Sequence, residues 1–529
     1  MQKHKIFVAD AIADEGVAWL REQPDMDVDF ATGLDAAAVK ERLRGAAALV
    51  VRSAVKVTAD MLGGADALRV IGRAGIGVDN IDVEAATERG IVVLNTPDAN
   101  ATTTAELAVA HIMSLSRHLP GADASVRAGE WKRNAYVGSE ITGKTVGIVG
   151  YGNIGRIVAS RCQGLKMHVV AHDPFVTAEV FEDDGVTPLA LDDLLAQSDY
   201  VTIHCPFNDK TRGLLDAARL AKMKRGARLV NCARGGIVDE EALRQAVESG
   251  HLAGAALDVF VNEPPKGSPL LGVKNIAFTP HLGASTAEAQ VAVGVEIARQ
   301  IAVFLRSGEA INAVNLPRIS SEALKRLQPY QALATRLGKL LGLMLAGPID
   351  RVELTLHGRA AELDSHPIAA HALVGLLQGR LSLPVNPVNA LHVARRQGVT
   401  LTESRSAQTR EYLTMVRLTG HGGGDSVTLA GTLFDERHPR LVLINDYALE
   451  AFLEGNLLLT RHADRPGVVG ALGQILGEEN VNIARMQLGV VSGSDKAIAV
   501  LEISAPLPER VIQRIAAIPA VTKVGQITL

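Results

Sequence analysis

The sequence predicts an α/β protein whose parallel sheets come first and whose smaller α+β units come last. Three observations carry this. Strand-like apolar runs alternate with helical patterns from the amino terminus to about residue 316, the βα rhythm of mostly parallel sheets. A glycine-rich loop stands between one of these strands and the helix after it, at 146–155. Residues 456–529 read β-α-β-β-α-β, the ferredoxin-like order.

A chain of 529 residues exceeds what one core can organise and should divide into several domains. Aromatics are only 3% of it, so the cores are built from Ala, Val, Leu and Ile. The net charge of −4, from 54 basic and 58 acidic residues, lacks the basic excess of nucleic-acid or membrane-surface binders, and neither partner is expected. The opening MQKHKIFVAD is no signal peptide, and no run approaches the roughly 18 apolar residues that span a bilayer. Cys162, Cys205 and Cys232 form neither a disulfide framework nor a spaced metal site. A cytoplasmic protein without a metal is the expectation.

In the first series, 5–8, 47–51 and 69–72 read as strands with helical segments between them. A long helix is predicted over 103–116, because Thr103 and Glu106 have the spacing of a capping box. The second series has strands at about 145–149, 168–171, 200–204, 228–231, 254–257 and 275–278. A helix follows over 287–305, then an exit loop at 312–317. Past residue 321 the rhythm changes. Leu333, Leu337, Leu340, Leu341 and Met344 recur at helical spacing. Mixed signals then run to about 455, with a hairpin-like GHGGGD turn at 420–425.

The glycine loop reads G-x-G-x-x-G at Gly150, Gly152 and Gly155. In that pattern the first glycine makes the tight turn, the second lets backbone approach a pyrophosphate, and the third permits close helix packing. The helix N-terminus then offers free N–H groups and a positive dipole end to phosphates. Asp173 ends the next strand, 18 residues after Gly155, where a carboxylate accepts from adenosine ribose hydroxyls. Pro174 and Phe175 follow it, with no cation for a 2′-phosphate. The context makes this a Rossmann-type unit that binds NAD rather than NADP.

Three polar residues lie just beyond consecutive strands of this series: Arg234 in NCARGG, Glu263 in LDVFVNEPP and His281 in FTPHLGAST. Ligands of open α/β sheets bind beyond the strands' carboxyl ends, so the three should share one rim. Singly, each has an ordinary structural reading as a helix cap, a turn residue or a surface histidine. Together they suit hydride transfer from a carbon bearing a hydroxyl. His281 would move the hydroxyl proton. Glu263 would orient the ring and favour its protonated form. Arg234 would grip a carboxylate and the neighbouring oxygen with its planar fork.

These motifs, with GRAGIGVDNID at 72–82 and NATTTAELA at 100–108, resemble those of the D-2-hydroxyacid dehydrogenases over about 1–316. The resemblance implies that Arg234, Glu263 and His281 are catalytic. It also implies that Asn153, Ile154, Cys205, Cys232, Ala233, Asp258, Gly283 and Ala284 line the NAD site. Asp258 would meet the nicotinamide carboxamide or orient its loop. The resemblance further implies a Rossmann-type domain (100–283) inserted in a flavodoxin-like substrate domain (1–99 and 284–316).

The full order is similar to that of the long-form members of the family, with an α+β intervening domain at 317–455 and an ACT domain at 456–529. Their substrate is 3-phospho-D-glycerate, at the entry to phosphorylated serine synthesis. A phosphorylated acid needs cations, and Arg52, Lys56 and Arg73 at strand ends offer them. Ser53 and Asn100 are further contacts, and Arg133 is one that could reach a neighbouring subunit's site. The resemblance places an L-serine effector at an ACT interface, on His462, Asp464 and Asn482, in a homo-oligomer (a dimer or tetramer). Asp464 replaces an Asn of some members and can only accept. The alternatives are a glyoxylate or hydroxypyruvate reductase, a formate or phosphite dehydrogenase, and a dinucleotide-sensing binding protein. The first two groups lack an ACT tail.

Overall fold

The computed structural model describes residues 3–317, 319, 321–381, 384–408, 412–491 and 493–529. Four sheets organise them. The first is parallel, five strands in the order Met26–Phe30, His4–Val8, Ala48–Val51, Val70–Arg73, Val92–Leu94. This is the flavodoxin-like order. Its central strands are buried apolar runs because helices cover both faces. One cover is the returning helix Ala287–Ser307, whose Val293, Ile297 and Ile301 pack on the strands. The exit loop is fastened to the same sheet, since Asn315 Oδ1 accepts from Val93 N (2.9 Å) and its Nδ2 donates to Ile91 O.

The second sheet has seven parallel strands in the order Ile276–Phe278, Gly254–Leu257, Arg228–Asn231, Tyr200–Ile203, Thr145–Val149, His168–His172, Thr187–Pro188. The order reverses between Thr145–Val149 and Tyr200–Ile203, and the glycine loop opens at that switch point. The helix predicted from 103 begins earlier, at Ala101–Arg117, with Asn100 at its N-cap and no side-chain cap bond. Thr103 and Glu106 are therefore inside the helix and make no capping box. Thr104 Oγ1 ties it to the catalytic rim by donating to Gly283 O at 2.7 Å.

The third sheet is mixed, with six strands between Arg351 and Phe452. The helices Ser321–Met344 and Ser365–Leu377 cross on it at close range. A Cβ at Gly338 or Gly375 would stand 2.0 Å from the other helix's carbonyl oxygen, Ala372 O or Thr335 O. Leu333, Leu337, Leu340 and Leu341 are fully buried beneath this crossing. The fourth sheet, in the order Ile483–Val490, Lys496–Ile503, Asn456–Ala463, Val521–Thr528, carries two helices on one face. Its other face adds Leu457, Leu459, Ile498 and Val500 to the core of the third. The third unit also grips the first: Asn386 Nδ2 donates to Gly90 O (2.8 Å), and Arg396 and His392 both reach Glu88 at 3.1 Å. Among the described residues no helix is long and apolar enough to cross a membrane.

Candidate active site

Two adjoining cavities lie between the first two sheets. One, of about 500 Å³, is lined by Arg52, Ser53, Arg73, Glu263, His281 and Ala284 among others. The second, of about 440 Å³, shares Arg73, His281 and Ala284 and continues past Asn100, Ile154, Cys205, Cys232, Ala233, Arg234 and Gly283. The three residues expected on one rim do meet there.

Each is held by its own strand-end loop. His281 Nδ1 lies 2.7 Å from Glu263 Oε2, and Phe260 N donates to the other oxygen, Oε1, at 3.2 Å. His281 adopts the left-handed region, φ 55°, which a bulky side chain enters only when its surroundings impose it. The anchor is Asp258. Its carboxylate is fully buried and accepts from Thr279 Oγ1 (2.5 Å), Leu282 N (2.7 Å) and Gly283 N (2.8 Å), and its carbonyl accepts from His281 N (3.0 Å). Of the two expectations for Asp258, the geometry therefore supports orientation of the loop. Oδ1 carries two of these bonds and Oδ2 one, which leaves Oδ2 able to accept one more. Thr279 also meets His111 at 3.2 Å, whose imidazole burial holds below its ordinary pKa.

Arg234 stands in a turn shaped by Asn231, which accepts from Ala233 N and donates to Arg234 O, each at 3.0 Å. Its Nε donates to Asp79 Oδ2 at 3.0 Å, across the cleft. Two glycines of the GRAGIG segment make room for the cations. A Cβ at Gly77 would stand 1.7 Å from Arg234 Nη2, and one at Gly75 would stand 1.6 Å from Arg73 Nη1. Burial, and then the nearby Arg234, press the Arg73 guanidinium down to about 10, so it remains charged at neutral pH. Its Nε is buried without a partner. The Arg52 loop is built by Asp10, whose Oδ2 accepts from Arg52 N (2.7 Å) and Val55 N (3.2 Å), and by Asn80, whose Nδ2 donates to Arg52 O and Val55 O. Sequence reasoning missed Asp10, Asp79 and Asn80. The last two sit inside a quoted motif, and a charge beside the glycines that admit an arginine was the available signal.

The dinucleotide loop has the shape its glycines imply. Gly150 has φ 96°, and a Cβ there would stand 2.5 Å from Cys205 N. A Cβ at Gly155 would stand 2.2 Å from Gly150 O, whereas Gly152 faces open space. Asn153 begins the helix Asn153–Gly164 and its amide meets Asp98. Asp173 is fixed beside the loop, accepting from Tyr151 N (2.8 Å) and Phe175 N (2.9 Å). Asn100 Oδ1, buried and unpartnered, lies in the wall of the adjoining cavity. An open Gly152, a fixed carboxylate and an orphaned amide oxygen together fit a dinucleotide.

Arg133 is on the exposed turn Arg133–Tyr136 and lines neither cavity, and Lys56 is exposed and lines neither. The two tail loops are also apart within one chain. His462 pairs with Ala497 of the strand Lys496–Ile503, whereas Ile483, next to Asn482, pairs with Ile503. That is roughly 20 Å along the strand. His462 is buried, which lowers its pKa, and Asp464 N donates to Asp495 O at 2.6 Å. The three effector residues can share a ligand only if a second copy contributes.

Residues 109–283 match the family model for the NAD binding domain of D-isomer specific 2-hydroxyacid dehydrogenases. Residues 326–445 match the D-3-phosphoglycerate dehydrogenase intervening domain, and 456–520 the ACT domain. The chain is 39% identical over 526 residues to D-3-phosphoglycerate dehydrogenase of Methanocaldococcus jannaschii, covering 99% of this chain and 100% of that one. It belongs to the D-3-phosphoglycerate dehydrogenase family. The Bacillus subtilis protein of the same name is 37% identical, covering 99% of both chains. Among solved structures, D-lactate dehydrogenase of Aquifex aeolicus complexed with NAD and lactic acid is similar, at 26% identity and a TM-score of 0.53. It covers 60% of this chain and all of that one. The chain is thus an oxidoreductase, and its cofactor is NAD.

Proposed function

We propose that the chain oxidises 3-phospho-D-glycerate to 3-phosphohydroxypyruvate, the entry to phosphorylated serine synthesis. One observation carries this reading: the His281–Glu263 pair faces a cavity that also holds Arg52, Ser53 and Arg73 and adjoins the dinucleotide loop. NAD, held by the glycine loop Gly150–Gly155 and Asp173, would supply the hydride acceptor. Glu263 fixes His281 Nδ1, so the ring turns Nε2 to the substrate hydroxyl and takes its proton. Arg234, steered by Asp79 at Nε and by Ala233 O at Nη1, turns Nη2 to the carboxylate and the C2 oxygen. Arg73 and Arg52 meet the phosphate, and Ser53 donates to it or to the carboxylate. Asp173 holds the adenosine ribose and repels a 2′-phosphate.

The test is NADH formation with 3-phosphoglycerate, run beside glyoxylate and hydroxypyruvate reduction. Turnover at least tenfold more efficient on 3-phosphoglycerate supports the assignment; the reverse order makes the chain a reductase. The protein is placed in the cytoplasm as a dimer or tetramer, in which Arg133 reaches a neighbouring site. In that assembly L-serine binds between paired ACT sheets on His462, Asp464 and Asn482 and slows turnover by favouring one domain arrangement. Asn482→Ala should abolish serine inhibition while uninhibited turnover is kept. Inhibition that survives this change would put the effector elsewhere.

A further inference from the structure

The helix Ala101–Arg117 meets the loop that carries His281 at two points, both through buried side chains. Thr104 Oγ1 donates to Gly283 O at 2.7 Å, at one end of the loop. His111 lies about two turns further along the same face and brings Nε2 to 3.2 Å from Thr279 Oγ1, at the other end. Its neighbours on the helix, Ala105, Ala108, Ile112 and Leu115, belong to the core. An imidazole buried among them needs a partner, and Thr279 supplies one.

The protons of this contact run in one direction. Thr279 has a single hydroxyl proton, and its Oγ1 stands 2.5 Å from Asp258 Oδ1. A carboxylate only accepts, so that proton goes to Asp258. Thr279 Oγ1 is left as an acceptor toward the ring, and His111 must carry a proton on Nε2. Burial outweighs the charge of Asp258 and holds the imidazole below its ordinary pKa, so near neutral pH Nδ1 is bare. The result is a chain of donors from His111 Nε2 through Thr279 Oγ1 to Asp258 Oδ1, in which each bond polarises the next. The chain ends on the residue that accepts from Leu282 N and Gly283 N through its carboxylate and from His281 N through its carbonyl. His281 is held there at φ 55°, a conformation that only its surroundings can impose.

We propose that His111 is a positioning residue for hydride transfer: through Thr279 it fixes the Asp258 carboxylate, and with it the angle at which His281 meets the substrate hydroxyl. His111 lines neither of the two cavities, so it acts through the loop and not on the substrate. The proposal rests on the reading that His281 moves the hydroxyl proton.

Steady-state kinetics tests it, on whichever hydroxy acid the unaltered chain oxidises best. His111→Leu fills similar space without the donor and should lower kcat about fivefold to tenfold, the scale of one buried hydrogen bond left unmade. KM for the hydroxy acid should stay within about twofold, because the arginines that grip it are untouched. His111→Gln, whose amide can place an N–H where Nε2 stands, should recover most of kcat; His111→Asn is too short and should not. Thr279→Val breaks the chain one step later, and adding His111→Leu to it should lower kcat by less than about twofold more, since both act through one bond. A histidine that only fills the core would change the melting temperature, leave kcat alone and add its effect to that of Thr279→Val. Unchanged kcat in His111→Leu, or full additivity with Thr279→Val, overturns the positioning role. If His111→Leu does not fold, equal kcat in His111→Gln and His111→Asn overturns it. His281→Ala tells the two failures apart: near-normal turnover there removes the reading beneath the proposal, whereas a loss of about a hundredfold beside an unaffected His111→Leu overturns the positioning alone.

Discussion

Arg234 and Arg461, at two different joints of this molecule, are held in opposite ways. In the cleft between the first two sheets, Arg234 meets a carboxylate brought from across the gap, Asp79, at 3.0 Å. At the joint between the third and fourth sheets, Arg461 has a buried donor edge with no protein acceptor. The first joint holds its cation in place before substrate arrives, which lowers the ordering cost at binding. The second buries part of its cation without an acceptor. A reaction rim benefits from preorganisation, whereas an unpaired buried donor edge costs stability. The difference lies in which partner the fold provides.

The largest expected effect removes the reacting group of the first joint. His281→Ala should lower kcat by roughly a hundredfold or more, the scale of a general acid–base group, with NAD affinity little changed. The loop should survive, because Asp258 anchors it through the backbone of His281, Leu282 and Gly283 rather than through the imidazole. Stopped-flow turnover and NAD titration measure the two quantities. A variant with near-normal kcat would remove His281 from the chemistry.

The same contrast explains what was legible in the sequence. Gly150, Gly152, Gly155, Arg234, Glu263 and His281 each lie just past a strand, and strand ends of one parallel sheet meet by topology alone. Their assembly needs no knowledge of side-chain packing. Asp79 and Arg234 are 155 residues apart and on different sheets, so nothing local pairs them. Thr103 and Glu106 had capping-box spacing, yet the helix starts at Ala101, and the orphaned Asn100 Oδ1 stays in the cavity wall. Asp258 reads from its motif as meeting the nicotinamide or orienting its loop; its burial and its bonds to Leu282 N and Gly283 N are what support the second role. Nothing in the sequence marks Arg461, because the helix that covers it lies more than a hundred residues earlier.

A smaller effect sharpens the comparison from within the cleft. Asp79→Asn keeps shape but removes the charge that steers Arg234, making that arginine more like Arg461. Charge-assisted hydrogen bonds contribute about 1.5–3 kcal/mol, and the exposure of Asp79, 66% for its side chain, discounts this to about 1 kcal/mol. KM for 3-phosphoglycerate should rise about fivefold, with kcat held within about twofold. A fall in kcat with KM unchanged would mean that Asp79 acts on the transition state alone. An unchanged KM and kcat would mean that Arg234 is positioned by its own turn.

The smallest effect is expected at Cys205, which lines the cofactor cavity and invites a chemical role. Its surroundings argue against one. Burial, with the charge of Asp173 adding to it, pushes the thiol up to about 11. A raised thiol pKa means the neutral form dominates until pH climbs toward that value, so at pH 8 roughly one molecule in a thousand carries the thiolate. Cys162 is pushed up to about 12 and Cys232 higher still, both by burial. What Cys205 does supply is backbone: its N lies where a Cβ on Gly150 would fall, 2.5 Å away, a contact any small residue preserves. Cys205→Ala should therefore leave kcat and KM within about twofold. Iodoacetamide labelling of Cys205 at pH 8 should run roughly a hundredfold slower than that of a free thiol, whose pKa is about 8.5. Labelling should speed up about tenfold for each pH unit up to 10, and bound NAD should slow it further. Fast labelling at pH 8, or a large loss of turnover in Cys205→Ala, would show that a charge in the cleft lowers this thiol. The cleft would then hold a second preorganised group beside Arg234.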